Sequence, residues 1–229
     1  MSAGEPIPIV GGTGALGFGL ALRLAAAGRE VVIGSREPGR AEEAAGRIGD
    51  QVPGASAKGV ENREAARLGS IVFLTVPFRA QSENLTNLGS VLEPGQVLVD
   101  ATAPLAAAIS GRATRLLGVP QGSAAEQAQE MVPEGVRVVS ALHTVSAARL
   151  RQLDVELDED VLVTGDVRDD KRRVADLIAL VPGLRPVNAG GLEAARFVEA
   201  LTPLLINVNI RNKAHAGVRL AYLPAEGLW

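Results

Sequence analysis

An α/β fold built on a doubly wound parallel sheet is the class this 229-residue sequence predicts, and three observations carry that expectation. Short apolar runs alternate with helical stretches along most of the chain, the pattern of strand–helix–strand units. A G-x-G-x-x-G stretch, Gly12-Thr-Gly14-Ala-Leu-Gly17, stands between the first strand and the first helix, the context that motif requires. Hydrophobic residues make up 47% of the chain but aromatic ones only 3%, so the core is aliphatic, which suits parallel strands under small-residue helices.

The elements follow in order. Ile7 to Gly11 reads as a short buried strand, with Pro8 an awkward member because proline cannot donate to a ladder. Gly14 to Ala27 reads as a helix: Leu16, Leu20, Leu24 and Ala27 recur at helical spacing, and Gly28 is a C-terminal stop. Glu30 to Ile33 is the second strand and Pro38 to Ile48 the second helix. Ser70 to Val76 is an apolar run closed by Pro77, and Gln96 to Asp100 and Val136 to Ser140 are further strands, joined by right-handed crossovers. Pro120 to Glu134, rich in Gln, Ala and Glu, reads as a surface helix or loop. Past His143 the pattern loosens into a strand Asp160 to Gly165, a helix Asp169 to Val181 and a strand Leu184 to Val187. A long apolar helix from Leu192 to Leu220 ends the pattern, kinked or broken by Pro203. Two regions are expected: a Rossmann-type dinucleotide-binding unit over residues 1–140 and a small C-terminal α/β segment over residues 141–229.

Composition narrows the function. A formal net charge of −3 offers no basic face to a nucleic acid. The absence of cysteine removes disulfides, thiolate metal sites and thiol nucleophiles together. With two histidines in the chain, His143 and His215, no metal centre is expected. The longest apolar runs are strand-sized, so no membrane span is expected. Met1 to Pro6 is short, acidic and unlike a signal peptide, which makes the cytoplasm the expected location.

In the loop, Gly12 permits the tight turn, Gly14 lets the backbone approach a pyrophosphate and Gly17 allows close helix–strand packing. The N–H groups and positive dipole end of the following helix then face the phosphates. The second strand runs into Gly34-Ser35-Arg36, where an NAD-selective fold places an acid for the ribose 2′-hydroxyl. Arg40 follows one helical turn later and Glu37 is read as pointing outward. Ser35, Arg36 and Arg40 therefore make a 2′-phosphate site and select NADP(H). Asp100 ends a strand where ligands sit in such sheets, and is either a ligand contact or a cap for the next segment.

Taken together, Gly11-Gly-Thr-Gly-Ala-Leu-Gly17, Gly34-Ser-Arg36, Leu74-Thr-Val-Pro77, Ser140-Ala-Leu-His-Thr-Val-Ser-Ala-Ala-Arg149, Gly183-Leu-Arg-Pro186 and Glu199-Ala-Leu-Thr-Pro203 resemble the family of coenzyme F420-dependent NADP reductases, from about Ile7 to Leu220. The resemblance implies hydride exchange between NADP(H) and the deazaflavin of coenzyme F420 as co-substrate. It implies that Thr13, Gly14, Ala15 and Leu16 wrap the pyrophosphate and that Ser35, Arg36 and Arg40 hold the 2′-phosphate. Val76, with the adjoining Pro77, and Ala101 and Ala147 would line the nicotinamide side. His143, Thr144 and Val145 would line the deazaflavin side, closed by Ala216 and Gly217. The sequence departs from the family at Phe78, where a tryptophan is common, at His215 and Ala216, and in the tail Tyr222 to Trp229.

Hydride transfer needs neither nucleophile nor metal; the protein aligns two ring faces and excludes water. His143 is the candidate catalytic residue, since it or backbone amides would stabilise charge on the reduced ring, or else it is a packed histidine after a strand. The partner is a small-molecule redox acceptor, and the apolar Leu201, Leu204, Leu205 and Val208 suggest a homodimer through the C-terminal helix. Two alternatives stand beside the first: an NADPH-dependent reductase of a flavin or ferric chelate, and a non-catalytic NADP(H)-binding sensor.

Overall fold

The first strand, β1 (Ile7–Val10), is fully buried at the centre of a parallel sheet. The structure, a computed structural model, describes residues 4–224 and 229. Part of the stretch Met1 to Pro6 and part of the tail Tyr222 to Trp229 lie outside the described residues. After β1 come α1 (Ala15–Ala26), β2 (Val31–Ser35), α2 (Pro38–Gln51), β3 (Ala57–Glu61), α3 (Asn62–Ala66), β4 (Ile71–Leu74), α4 (Gln81–Leu88) and β5 (Val97–Asp100). Then follow α5 (Ala124–Met131), β6 (Arg137–Ser140), α6 (Ala147–Leu150), β7 (Glu159–Val163), α7 (Arg168–Ile178), β8 (Leu184–Asn188) and α8 (Ala195–Asn212). The six-stranded sheet has the order β3-β2-β1-β4-β5-β6, with every neighbouring pair parallel. This is the Rossmann order, whose direction of winding reverses between β1 and β4.

Pro8 fits because its ladder is one-sided there. The Ile7 N–H donates to Glu30 on the β2 side, so the missing N–H of Pro8 falls on the β4 side, where pairing begins only at Ile9 with Phe73. Gly69 makes room for the proline ring; a Cβ on it would sit 2.6 Å from Pro8 Cδ. Helix α1 ends as expected at Gly28, whose φ is +78°. The Gly28 N–H donates to Ala25 and the Arg29 N–H to Leu24, a Schellman closure.

Strand β3 and helix α3 were not legible beforehand. The β3 sequence, Ala-Lys-Gly-Val-Glu, buries only Val60 among its five residues, as an edge strand does. The Gln-rich stretch is not a free surface helix: α5 buries Ala124, Ala125 and Ala128, and Ser123 caps it through a hydroxyl that accepts from Glu126 N. The expected helix to Leu220 is shorter. A 3-10 turn over Leu192–Ala194 precedes α8, which runs continuously across Pro203 and stops at Asn212, with Lys213 left-handed at φ 51°. Asn209 then captures the chain, its Oδ1 accepting from Ala216 N at 2.7 Å. The Asp160 N–H donates to Val218 O at 2.7 Å, so the segment after α8 lies along β7 instead of extending the helix.

Strands β7 and β8 form a parallel pair, attached antiparallel to β6 where Ser140 and Thr164 exchange both backbone bonds, at 2.9 and 3.0 Å. One hydrophobic cluster runs from Ile9, Leu20 and Phe73 to Leu142, Leu150, Val161 and Val174, so the core is continuous across residue 140. Helices α1 and α6 cross closely at Gly19, where a Cβ would lie 2.7 Å from Leu150 Cβ. One turn later the buried Arg23 of α1 donates to the carbonyls of Arg149, Leu150, Gln152 and Val155.

Candidate active site

The chain leaves β1 through Gly11, whose φ is +74° and whose position would put a Cβ 2.6 Å from Val76 Cγ1. The left-handed residue of this turn is Gly11, one position before Gly12. Gly12 is needed for contact instead: a Cβ there would meet Ile9 O at 2.8 Å and Ile33 Cγ2 at 3.0 Å. Gly17 does bring helix and strand together, since a Cβ on it would overlap Thr75 Oγ1 and lie 2.8 Å from Gly12 Cα. Gly14 differs in kind. A Cβ there would find only Gly11 O at 3.2 Å and Thr75 O at 3.9 Å, and would otherwise project into open space. Gly14 is also the N-cap of α1, with no side-chain cap bond. The first-turn N–H groups and the dipole thus face a concavity with room for an anion, the requirement of a pyrophosphate.

On one side of Gly14 runs a groove lined by Gly11, Thr13, Ser35, Arg36, Glu37, Arg40, Asn62 and Asn84. Ser35 is buried at the end of β2, and its hydroxyl accepts from Glu37 N at 3.2 Å. Arg36 and Arg40 are exposed at the rim of the groove. Glu37 is exposed but not idle, since its carboxylate pairs with Arg40 at 3.4 Å. The asparagines went unrecognised in the sequence. Asn62 Oδ1 accepts from Gly11 N at 3.3 Å and its amide donates to Asn84 Oδ1 at 3.1 Å, so they brace the loop from behind.

On the other side lies a cavity of about 540 Å³. Of the residues expected at a nucleotide or acceptor ring, it gathers Gly14, Ala15, Leu16, Val76, Pro77, Ala101, His143, Val145 and Ala147. Thr75, Phe78, Arg79, Thr102, Leu142 and Thr202 join them. Thr202 had a signal, the Leu-Thr-Pro stretch, that named its neighbourhood but not its role. Thr144 is buried yet is not among the lining residues. Ala216 and Gly217 are not brought to this cavity. They pack against β7, where a Cβ on Gly217 would overlap the Glu159 carboxylate.

His143 enters the cavity through a strained turn. The preceding Leu142 is buried and left-handed, with φ 72°, a conformation that costs a non-glycine residue about 1–3 kcal/mol. His143 Nε2 lies 2.9 Å from the Thr102 carbonyl oxygen, and a carbonyl only accepts, so Nε2 carries the hydrogen. Its Nδ1 is buried with no hydrogen-bond partner. Burial pushes the imidazole pKa down to about 4, so the ring is neutral near pH 7. Asp100 is fully buried and lies behind the cavity wall; it accepts from Thr102 N at 2.8 Å, as the capping alternative has it. His215 is exposed. No cluster of metal-ligating side chains exists among the described residues, and no helix among them is long and apolar enough to cross a membrane.

Groove and cavity share Gly14, Thr75, Val76 and Pro77 at the point where the winding reverses. The cavity thus continues the groove past Gly14 to the aliphatic side chains around Ala147. That defines a dinucleotide-dependent oxidoreductase of the doubly wound class. Comparison with known proteins agrees. Residues 6–104 match the family described as NADP oxidoreductase coenzyme F420-dependent. An F420-dependent NADP reductase of Methanothermobacter thermautotrophicus is 42% identical over 225 residues, covering 96% of each chain. One from Methanocaldococcus jannaschii is 41% identical, covering 95% of this chain and 98% of its own. A solved structure from Arthrobacter sp. FB24, assigned to the F420-dependent NADP-reductases, superposes with a TM-score of 0.79 at 26% identity, covering 95% of this chain and 100% of its own. The chain belongs to the F420-dependent NADP reductase family.

Proposed function

We propose that the chain transfers a hydride between NADP(H) and the deazaflavin of coenzyme F420 in the cavity beside Gly14. The observation that carries this is the continuity of the basic groove with an apolar cavity large enough for two stacked rings. The nicotinamide, when bound, supplies or takes the hydride. Ser35, Arg36 and Arg40 hold the 2′-phosphate, and Gly14, Ala15 and Leu16 offer backbone N–H groups to the pyrophosphate. Val76, Pro77, Ala101 and Ala147 wall the nicotinamide, while His143 and Val145 face the acceptor. The aliphatic lining excludes water and holds two ring faces in register, which is the main contribution a protein makes to this chemistry. His143, neutral and with its Nε2 hydrogen committed to the Thr102 carbonyl, packs against the acceptor and does not donate to a developing anion. On this reading residues 1–140 carry the nucleotide and residues 141–229 complete the acceptor side.

A homodimer through α8 completes the proposal. Along α8, Leu204 and Ile210 are 55% and 68% exposed, and Leu201, Leu205 and Ile206 are half-buried. A second copy of the same helix matches this apolar surface, as isologous contacts do.

The test mixes the protein with NADPH and oxidised coenzyme F420 and follows loss of the deazaflavin's visible absorbance. Steady turnover, with slower turnover of FMN, FAD and ferric chelates, is expected. Faster turnover of a flavin or ferric chelate would overturn the acceptor assignment. Tight NADPH binding without turnover of any acceptor would establish the sensor reading instead.

A further inference from the structure

Among the described residues that line the cavity, Arg79 alone is formally charged near pH 7. It sits in a 3-10 turn, Phe78–Ala80, that follows β4, is exposed, and pairs with no carboxylate among the described residues. The turn divides its residues: Ala80 lines the nucleotide groove, whereas Phe78 and Arg79 line the cavity and not the groove. It packs against a second 3-10 turn, Ala106–Ile109, and Ala107 and Ala108 of that turn line the same cavity. An antiparallel bridge between Leu105 and Leu116 closes this stretch into a hairpin that carries Arg112 and Arg115, both exposed. Neither residues 71–82 nor residues 101–120 include an aspartate or glutamate. These two packed segments are therefore basic, on a chain whose formal net charge is −3.

We propose that Arg79, supported by the field of Arg112 and Arg115, receives the anionic side chain of the acceptor and so sets a preference for an acceptor that carries one. On the hydride-transfer reading the nucleotide's phosphates already have partners: Ser35, Arg36 and Arg40 in the groove, and the first turn of α1 at Gly14. An arginine that lines the cavity and not the groove is left for the second substrate. Coenzyme F420 carries its charge away from the ring, on a side chain built of a phosphodiester and glutamate carboxylates. With the ring among the aliphatic residues, that side chain leaves the cavity past its one charged residue. The planar fork of a guanidinium suits both phosphodiester and carboxylate, and a single placed polar group in an apolar pocket confers specificity. Because the arginines are exposed, they act by attracting the approaching anion more than by forming a buried pair. The inference deepens the hydride-transfer reading and rests on it for the identity of the acceptor.

The probes are coenzyme F420 and the same deazaflavin ring bearing only an uncharged ribityl chain. Each is titrated into the full chain and followed by deazaflavin fluorescence. The parent should bind coenzyme F420 more tightly by roughly fivefold, the worth of an exposed charge-assisted contact, and the margin should shrink as ionic strength rises. Arg79→Gln should remove most of the margin, Arg79→Glu should invert it, and Arg79→Lys should keep part of it. In steady-state kinetics the change should fall on the KM for coenzyme F420, with kcat within about twofold. A parallel loss of NADPH affinity would assign Arg79 to the nucleotide and overturn the proposal. A parent that binds both deazaflavins equally, or variants that keep the parent's margin, would overturn it too. Binding is read without turnover, which separates this inference from the reading beneath it. A parent that binds coenzyme F420 with the expected margin but never reduces it would sink hydride transfer and leave the Arg79 contact standing. A parent that reduces it while the Arg79 variants keep the margin would sink the contact alone. A parent that binds neither deazaflavin would overturn both.

Discussion

The Thr202 hydroxyl donates to the backbone carbonyl of His143 at 2.9 Å, so α8 grips the His143–Thr144 peptide, one residue past the left-handed Leu142. Replacing Thr202 by valine keeps the shape and removes the donor, at about 1–2 kcal/mol for the orphaned buried carbonyl. Acceptor turnover should fall roughly tenfold while NADPH affinity stays within about twofold, measured by steady-state kinetics beside fluorescence titration.

Nucleotide choice should follow the exposed arginines. Arg36→Ala and Arg40→Ala should each weaken NADPH by at least about tenfold, the worth of a charge-assisted bond, and leave NADH nearly unchanged. Equal losses for both nucleotides would remove these residues from the 2′-phosphate.

Glu37 has the opposite role at the same corner. Its carboxylate holds Arg40 at 3.4 Å in competition with any phosphate. Glu37→Gln should tighten NADPH two- to fivefold, roughly 0.5–1 kcal/mol, with the gain shrinking as salt rises. Calorimetry at two ionic strengths measures both effects.

Two glycines of one motif should fail differently. Gly14→Val would fill open space where a pyrophosphate sits, so the protein should fold and lose NADPH. Gly17→Val would strike Thr75 Oγ1 and Gly12, so it should unfold earlier, by about 2 kcal/mol or more. Thermal melts with and without nucleotide separate the two outcomes.

Glu159 supplies a pH dependence. Its carboxyl is buried beneath Gly217 with Oε2 unpartnered; burial pushes its pKa up to about 7, against a smaller pull from Arg149. The folded protein therefore holds a proton there that the unfolded chain has already lost above its ordinary carboxyl pKa. Stability is full at acid pH and falls as pH rises from that ordinary value through 7. Glu159→Gln removes the ionisation and should raise the melting temperature at pH 8 by several degrees, corresponding to about 2 kcal/mol after solvent screening, with little gain at pH 5. A uniform gain at both would show that the carboxyl ionises alike in the folded and the unfolded chain, with no raised pKa.

Local chemistry made much of this legible. The glycine loop, the Ser35-Arg36 corner and the aliphatic strands each announce themselves within a few residues, because tight turns, phosphate contacts and buried parallel strands leave short patterns. Asn62 left none, since it opens a helix after an edge strand whose lysine and glutamate hide any period. The chain reversal past Asn212 depends on Asn209 and on a strand some fifty residues earlier, and no window across the apolar run contains both. The bond between Asp100 and Thr102 is local, but the bond between His143 and the Thr102 carbonyl spans 41 residues of chain and leaves no pattern.

Arg23 has a consequence for how the molecule comes apart. Its guanidinium, 5% exposed, has four carbonyls between Arg149 and Val155 as its hydrogen-bond acceptors. A chain cut after residue 140 would keep every strand of the parallel sheet but lose all four of these acceptors together with α6, which covers this face of α1. The nucleotide-binding half is thus not autonomous: ribosomes can finish its sheet, but it waits for the residues after 140 to become native. Unfolding should accordingly be one cooperative transition, and a protease nick in the 149–155 loop should release both halves at once.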